Sequence, residues 1–168
     1  MSTPAPHRAL ATRVILVHDL AGFTKATAQT APLELAAFLD AYYTACATRV
    51  RAGGGRIVKV MGDACLAVFD VARCADALDA AVALRADIAP LASRHGVPVT
   101  AGKACVHVAE IAEGLLGPEG DRRFDVVGQG VNVTFLLGSC RGAGVPLSEA
   151  AHRALSTLPG VKNAAVNI

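Results

Sequence analysis

Two aspartates, Asp19 and Asp63, stand at points where an apolar run meets a glycine-containing turn. The first run, VILVHDLAGFT, covers residues 14–24, and the second, KVMGDACLAVF, covers residues 59–69. A buried strand that delivers a carboxylate to a tight turn can hold a divalent cation and a phosphate with little rearrangement. Two such carboxylates at one end of a single sheet would form a two-metal nucleotide site.

The repulsion between two neighbouring carboxylates raises the pKa of one of them unless a cation neutralises the pair. Mg²⁺ does this with few protein ligands and keeps coordination positions open for phosphate oxygens. The backbone amides of residues 20–24, at the turn after Asp19, would face the phosphates, as helix N-termini do in other proteins. Taken singly, either aspartate also fits a plain capping or hairpin role.

The composition is that of one folded domain of moderate size. The chain has 168 residues, of which 53% are hydrophobic and 18% charged, so it can bury a substantial core and does not resemble a disordered chain. A net charge of +2, without a basic run, disfavours nucleic acid and anionic membranes as partners.

Cysteine usage and the N-terminus predict a cytoplasmic location. The five cysteines include no CxxC pair, and their odd number does not suit a disulfide framework. The N-terminus lacks the apolar core of a signal peptide, and no run is long enough to span a bilayer. We expect a flexible leader over residues 1–11 and a single domain over residues 12–168.

The first half of the chain alternates between strand and helix patterns. Residues 12–19 predict a buried strand, and Pro32 suits the first turn of a helix. Apolar residues recur along this helix at spacings of three and four, as far as the glycines at 53–55. RIVKVM and CLAVFD then predict two strands of a hairpin around the Gly62–Asp63 turn.

The second half predicts another helix and further strands. The helix spans residues 72–91, with Pro90 as a kink or stop. Residues 97–117 predict a long strand and its return partner, and FDVV predicts a short strand. GQGVNVTFLLGSC predicts a helix, and VPLSEAAHRAL predicts a strand followed by a short helix that Ser148 caps.

The order β-α-β-β-α-β indicates an α+β fold with a ferredoxin-like core, extended by C-terminal strands and helices. In that topology the first strand lies antiparallel to the third and beside it. The end of the first strand and the hairpin between the second and third then meet at one edge of the sheet. Asp19 and Asp63 are therefore expected to converge, which favours the metal site over two unrelated structural roles.

Three motifs in this order resemble the catalytic domain of class III adenylate/guanylate cyclases, over about residues 12–157. The family pattern F-x-D-I-x-G-F-T is VHDLAGFT at 17–24, and K-x-x-G-D is KVMGD at 59–63. The pattern D-x-x-G-x-x-V-N is DVVGQGVN at 125–132.

The resemblance implies a head-to-tail homodimer that converts ATP to 3′,5′-cyclic AMP and pyrophosphate at sites between the protomers. It assigns two Mg²⁺ ions, or Mn²⁺ in their place, to Asp19 and Asp63. The main chain of Leu20 would be a further metal ligand. The triphosphate would lie against the main chain of Leu20, Ala21, Gly22, Phe23 and Thr24.

By the same resemblance, the other protomer supplies the residues that read the base. Lys59 and Asp125 would contact the purine edge, and Asn132 would orient the ribose. An ammonium donates to the ring N1 of adenine, and a carboxylate accepts from its exocyclic amine. Guanine inverts this pattern, so the pair favours ATP.

The sequence departs from the family at the residue that stabilises the transition state. Most members place an arginine four residues after the helix asparagine, and here that position is Leu136. A missing phosphoryl-transfer arginine costs about 10³-fold or more in rate. Arg122, Arg123 and Lys162 are candidates to compensate for it. A family glycine is also replaced, by Ala109 in HVAEIAEGLLG, a change expected to affect the dimer-facing hairpin more than the chemistry.

Other readings stay open. A degenerate cyclase-like domain would bind a nucleotide or a protein partner and regulate without turnover, and Leu136 is the main support for it. An RNA-binding module shares the strand order but needs stacking aromatics, and aromatics are only 4% here. A diguanylate cyclase would carry a GGDEF-like hairpin where this chain has KVMGDA.

Regulation and several prominent side chains are open too. Since no sensor domain accompanies the motifs, control would come from a separate regulatory protein, from dimerisation or from a portion outside this chain. Packing is the expected role of His18, His107, Tyr42 and Tyr43.

Overall fold

The computed structural model describes residues 8–140 and 144–157. Its five strands are β1 (Arg8–Ala21), β2 (Arg56–Met61), β3 (Ala64–Asp70), β4 (Ala101–Leu116) and β5 (Arg123–Val127). Its α-helices are α1 (Phe23–Thr27), α2 (Pro32–Ala52), α3 (Cys74–His95), α4 (Gln129–Gly138) and α5 (Glu149–Ser156), and a single 3-10 turn at Val71–Arg73 precedes α3. None of the described helices is both long and apolar enough to cross a lipid bilayer.

The strands form one antiparallel sheet in the order β2-β3-β1-β4-β5. The first four strands, with α2 and α3 between them, confirm the ferredoxin-like core and the predicted α+β class. As expected, β1 lies antiparallel to β3, with Asp19 opposite Ala64. The topology thus brings the end of β1 and the β2–β3 turn to the same edge of the sheet.

Helices cover both faces of the sheet. The face covered by α2 and α3, the α2–α3 face, receives Val14, Leu16 and Leu20 of β1. The opposite face, the α4 face, receives Ile15 and Val17, which pack with Val131 and Leu137 of α4. Because side chains alternate along a strand, Asp19 belongs to the α4 face and His18 to the α2–α3 face.

Several predicted boundaries need correction. β1 begins at Arg8, not at residue 12, because Arg8 and the next three residues pair with the far end of the long β4. Residues 1–7 lie outside the described part. Helix α3 does not stop at Pro90 but runs on to His95 and ends at Gly96, whose φ of 64° is left-handed. Pro90 and Ala86, whose carbonyl loses its helical donor, are both exposed, so water can satisfy that carbonyl.

The predictions for the second half are otherwise largely confirmed. Residues 97–117 hold one strand, β4, and not a strand with its return partner, which is β5. The strand predicted before Ser148 is only a parallel bridge between Leu147 and Val106 of β4. Ser148 caps α5 as predicted, and its hydroxyl accepts a hydrogen bond from the Ala151 amide at 3.1 Å.

Candidate active site

The two aspartates meet where β1 ends. Asp63 lies in the β2–β3 turn, one residue before Ala64, the partner of Asp19 across the ladder. The Leu20 amide donates to the Asp63 carbonyl at 3.1 Å and joins the two aspartate-bearing segments directly. Gly62 makes this turn possible, since its φ of 62° lies in the left-handed region that other residues rarely adopt.

The electrostatics of Asp19 favour a bound cation. Burial raises the pKa of the Asp19 carboxyl, and the charge of Asp63 raises it further, while Lys103 and the Leu20 amide act in the opposite direction. Without a cation, the two charged carboxylates are therefore unfavourable. A divalent cation would offset both the burial of Asp19 and its repulsion from Asp63. In the described ranges no three His, Cys, Asp or Glu side chains cluster to hold a metal. Two carboxylates fit a Mg²⁺ ion that completes its coordination with phosphate oxygens and water.

The turn after Asp19 differs in one detail from what was predicted. The Leu20 amide is already bonded to Asp63, so it is not a free phosphate donor. Gly22, with φ 81°, begins the short helix α1, and its carbonyl accepts from the amides of Lys25 and Ala26. The amides of Phe23 and Thr24 belong to the first helical turn and have no acceptor within the helix. These two amides are the best phosphate donors of the predicted stretch.

Lys59 and Asp125, the predicted base-reading residues, come together. Lys59 Nζ donates to Asp125 Oδ2 at 2.8 Å, and both side chains are partly exposed. The other carboxylate oxygen, Oδ1, accepts from the Val126 amide at 2.8 Å. The sequence predicted that both residues read the base, but it did not predict that they contact each other within one chain.

A β-bulge explains how Lys59 reaches this position. The register of β2 against β3 shifts between Ile57 and Lys59. Ile57 pairs with Ala67, which packs on the α2–α3 face, whereas Lys59 pairs with Leu66, which packs on the α4 face. The extra residue in the bulge therefore moves Lys59 to the face of the sheet that also carries Asp19.

Asn132 lies apart from both groups. It occupies the first half of α4, and its side chain is exposed. Within the described parts of the chain, no hydrogen bond joins it to the aspartates or to the Lys59–Asp125 pair. Leu136, one turn further along α4, is 69% exposed. The chain thus carries the candidate residues as three separate groups.

A comparison with models of protein families identifies the family of this chain. A family model described as the adenylate and guanylate cyclase catalytic domain matches residues 9–166. The chain belongs to this family.

Similar proteins include both adenylyl and guanylyl cyclases. Adenylate cyclases of Mycobacterium tuberculosis and Mycobacterium bovis are 32% identical to this cyclase domain over 139 residues, which cover 77% of this chain and 30% of theirs. This chain therefore spans less than a third of the length of those relatives.

Solved structures of the family share the fold. The adenylyl cyclase CyaB from P. aeruginosa has a TM-score of 0.79 and is 17% identical. The match covers 89% of this chain and 83% of CyaB. The guanylyl cyclase Cya2 has a TM-score of 0.70, is 25% identical and is covered over 79% by 89% of this chain.

The residues proposed to replace the missing arginine have different surroundings. Arg122 and Arg123 are exposed, and Arg123 is paired with Asp121 at 3.1 Å. Lys162 lies outside the described residues. Ala109, expected to affect mainly the hairpin, in fact lies against the first turn of α4: a Cβ added to Gly130 would lie 2.4 Å from the Ala109 Cβ. Gly130 therefore makes room for the alanine, and the substitution contacts the helix that carries Asn132.

Lys103 is a residue that sequence reasoning missed. It pairs with Asp19 across the β1–β4 ladder, so both side chains lie on the α4 face of this cyclase domain. Its side chain is exposed, and no described carboxylate lies within ion-pair distance of it. The signal was present in the sequence, since a lysine interrupts the apolar residues of 97–117, but only the strand register connects it to Asp19.

Proposed function

We propose that this cyclase domain is an adenylyl cyclase that converts ATP to 3′,5′-cyclic AMP and pyrophosphate as a head-to-tail homodimer. The observation that carries the proposal is the convergence of Asp19 and Asp63, joined by the 3.1 Å bond from the Leu20 amide to the Asp63 carbonyl. Two magnesium or manganese ions held there would neutralise the triphosphate and polarise the 3′-hydroxyl and the α-phosphate. The Leu20 carbonyl is a further candidate ligand.

The phosphates would contact donors from the same protomer. The Phe23 and Thr24 amides open α1 a few residues after Asp19, and Lys103 adds a positive charge next to Asp19. Together they would hold the triphosphate so that its α-phosphorus stays near the carboxylates. Such positioning is the main contribution that a protein makes to phosphoryl transfer.

The Lys59–Asp125 pair supports adenine as the base. It presents a donor and an acceptor side by side, 2.8 Å apart, which matches ring N1 and the exocyclic amine of adenine. Guanine presents a donor and an acceptor in the reverse order and would face two mismatches. If the proposed dimer encloses the base, mismatches of this kind discriminate strongly, because each leaves a polar group unpaired.

The separation of the groups supports a site shared between protomers. Lys59 lies two residues before the end of β2 at Met61, a length of about 7 Å along the strand, and Asp63 lies beyond that end, in the turn. Asn132 is exposed on α4, and no hydrogen bond within the described residues joins it to either group. A head-to-tail dimer would bring the aspartates of one protomer to Lys59, Asp125 and Asn132 of the other.

Turnover is tested by incubating purified protein with ATP, GTP, CTP or UTP in Mg²⁺ or Mn²⁺. The proposal expects cyclic AMP from ATP, with product lost in Asp19→Ala. Complementation tests the shared site. If Asp19→Ala and Lys59→Ala are each inactive, an equal mixture regains about a quarter of the parent activity, because half the dimers then hold one intact site. No recovery in a mixture that exchanges subunits argues against the shared site.

A second candidate is a regulatory domain that binds nucleotide without turnover. The exposed side chain of Leu136, in place of the expected arginine, is the observation that favours it. Tight nucleotide binding with no cyclic product, even in Mn²⁺, would support this second function. A protein partner, not catalysis, would then transmit the signal.

A further inference from the structure

Two consecutive tyrosines of α2 reach the turn that carries Asp63. The Tyr43 hydroxyl donates to the Gly62 carbonyl at 2.7 Å. The Tyr42 hydroxyl lies 3.3 Å from the Asp63 carbonyl and 3.3 Å from the His18 carbonyl. The backbone on both sides of the aspartate pair is thus bonded to one helix.

His18 orients the Tyr42 hydroxyl. The imidazole is fully buried, with Nδ1 2.9 Å from that hydroxyl, and its packing confirms the expected structural role. Its Nε2 has no described partner and points at Gly102, where an added Cβ would lie 2.4 Å away. A buried N–H without an acceptor costs more free energy than a buried nitrogen lone pair that faces a Cα hydrogen. The favoured tautomer therefore has Nδ1–H donating to Tyr42, and the Tyr42 proton is left for the two carbonyls.

The result is a short chain of donors that ends at the aspartate-bearing backbone. Burial raises the pKa of the Tyr42 hydroxyl, so the group keeps its proton. The Asp63 carbonyl then accepts from both Leu20 and Tyr42, and the neighbouring Gly62 carbonyl accepts from Tyr43. Three bonds hold a turn whose tip is exposed and contains a glycine.

Such a restraint suits a site built from two like charges. Asp19 and Asp63 repel each other when no cation is bound, and the glycine turn offers little resistance by itself. A lysine or arginine in the place of the tyrosines would hold the turn but would also compete with a cation for the carboxylates. Neutral hydroxyls that bond to backbone carbonyls restrain the turn and leave both carboxylates available.

We infer that Tyr42 and Tyr43 are positioning residues, which act through the Gly62 and Asp63 carbonyls to hold Asp19 and Asp63 in a metal-binding arrangement, with His18 orienting Tyr42. The inference rests on the proposed function, since it assumes that the aspartates bind a divalent cation. It goes beyond the packing role expected for these side chains.

The test measures Mn²⁺ binding to the nucleotide-free protein by electron paramagnetic resonance, together with amide hydrogen exchange at Leu20. Tyr42→Phe and Tyr43→Phe each remove one hydroxyl and keep the ring. We expect each to weaken Mn²⁺ binding about tenfold, the scale of losing a group that orients a metal ligand. We expect exchange at Leu20 to accelerate about fivefold, the effect of one hydrogen bond.

Thr48→Ala is the matched control. It removes a hydroxyl from the same helix, but that hydroxyl bonds to the Thr44 carbonyl at 2.8 Å and does not contact the turn. The control should leave Mn²⁺ affinity and Leu20 exchange unchanged. Tyr43 is only partly buried, so Tyr43→Phe should fold even if Tyr42→Phe proves too unstable.

The outcomes separate the inference from the proposed function. If the parent binds Mn²⁺ and both phenylalanine variants bind it equally well, the inference is overturned and the metal site stands. Faster exchange at Leu20 with unchanged affinity also overturns it, because the tyrosines would then support the fold alone. If the folded, nucleotide-free parent does not bind Mn²⁺ at all, the inference is overturned, and the turnover assay decides the proposed function separately.

Discussion

Lys59 and Asp125, on opposite edge strands of the sheet, form an ion pair of 2.8 Å. The strands β2 and β5 approach because the sheet curls, and the Arg56 guanidinium stacks on the Phe124 ring at 3.5 Å beside the pair. The sheet is thereby partly closed on the α4 face. A donor and an acceptor become neighbours at a point where the order of the strands alone would separate them widely.

Removing the Lys59 ammonium should impair the use of ATP specifically. We expect Lys59→Ala to lower kcat/KM for ATP by about 10- to 100-fold, since a hydrogen bond to a charged group contributes about 1.5–3 kcal/mol. Steady-state kinetics with ATP and GTP measures the change. Glu149→Gln, which breaks the exposed ion pair with Arg153 on α5, is the control and should leave activity with both substrates unchanged. An equal loss of activity toward both nucleotides would argue against base recognition by Lys59.

Lys103 should keep Asp19 ionised and also bind the substrate phosphates. Because Lys103 lowers the pKa of Asp19, Lys103→Ala should raise that pKa further, so that metal binding fails at a higher pH than in the parent. We also expect KM for Mg·ATP to increase about tenfold, the effect of one lost charge-assisted contact. Carbon-detected NMR titration of the Asp19 carboxyl and a KM series test both parts. Lys103→Arg should retain most of the function, and an unchanged KM in Lys103→Ala would contradict the phosphate role.

Restoring an arginine at position 136 should accelerate turnover. Leu136 is 69% exposed, so Leu136→Arg disturbs no core packing. We expect kcat to increase by about 10³-fold, the lower range reported for an arginine that stabilises a transferring phosphoryl group. Ser139→Arg adds the same charge at the exposed residue just past the C-terminus of α4 and should not accelerate the reaction. Comparable gains in both variants would mean that general charge, not this position, limits the rate.

The convergence of Asp19 and Asp63 was predictable because it depends on topology alone. An apolar strand, a helix and a hairpin in the βαββ order place the first strand beside the third. Asp19 and Asp63 then meet even if the turns are displaced by a residue or two from their predicted positions. The structure confirms the strand order on which that expectation was based.

The Lys59–Asp125 contact was not predictable in the same way. The alternation of side chains along β2 puts Lys59 on the same face as Ile57, and only the bulge between them reverses this. Bulges follow from local packing and leave no clear mark in the sequence. Pro90 shows a similar limit: its ring is normally incompatible with a helix interior, but burial of Leu91 and Ala92 behind it keeps α3 intact. In both places tertiary packing overrode a local rule.

The buried His18 should make the stability of the domain depend on pH. Burial lowers its pKa from 6.5 to about 4, with a further decrease from Arg85 and an increase from Asp87. At pH values between about 4 and 6.5, His18 binds a proton in the unfolded chain but not in the folded protein. Stability from this residue is therefore complete above pH 6.5 and decreases as the pH falls toward 4. A difference of that size corresponds to about 3 kcal/mol in the free energy of unfolding.

Urea unfolding at pH 7.5, 5.5 and 4 tests this dependence. The parent also contains carboxylates that titrate in the range: the pKa of Glu113 is lowered by Arg13, and that of Asp19 is raised. Only the difference in stability between the parent and a His18 variant isolates the contribution of this histidine. His18→Asn, which does not titrate, should lose less stability than the parent over this range by up to about 3 kcal/mol. His152→Asn on α5 serves as the control, and a pH profile for His18→Asn that runs parallel to the parent's would show that His18 is not excluded from protonation.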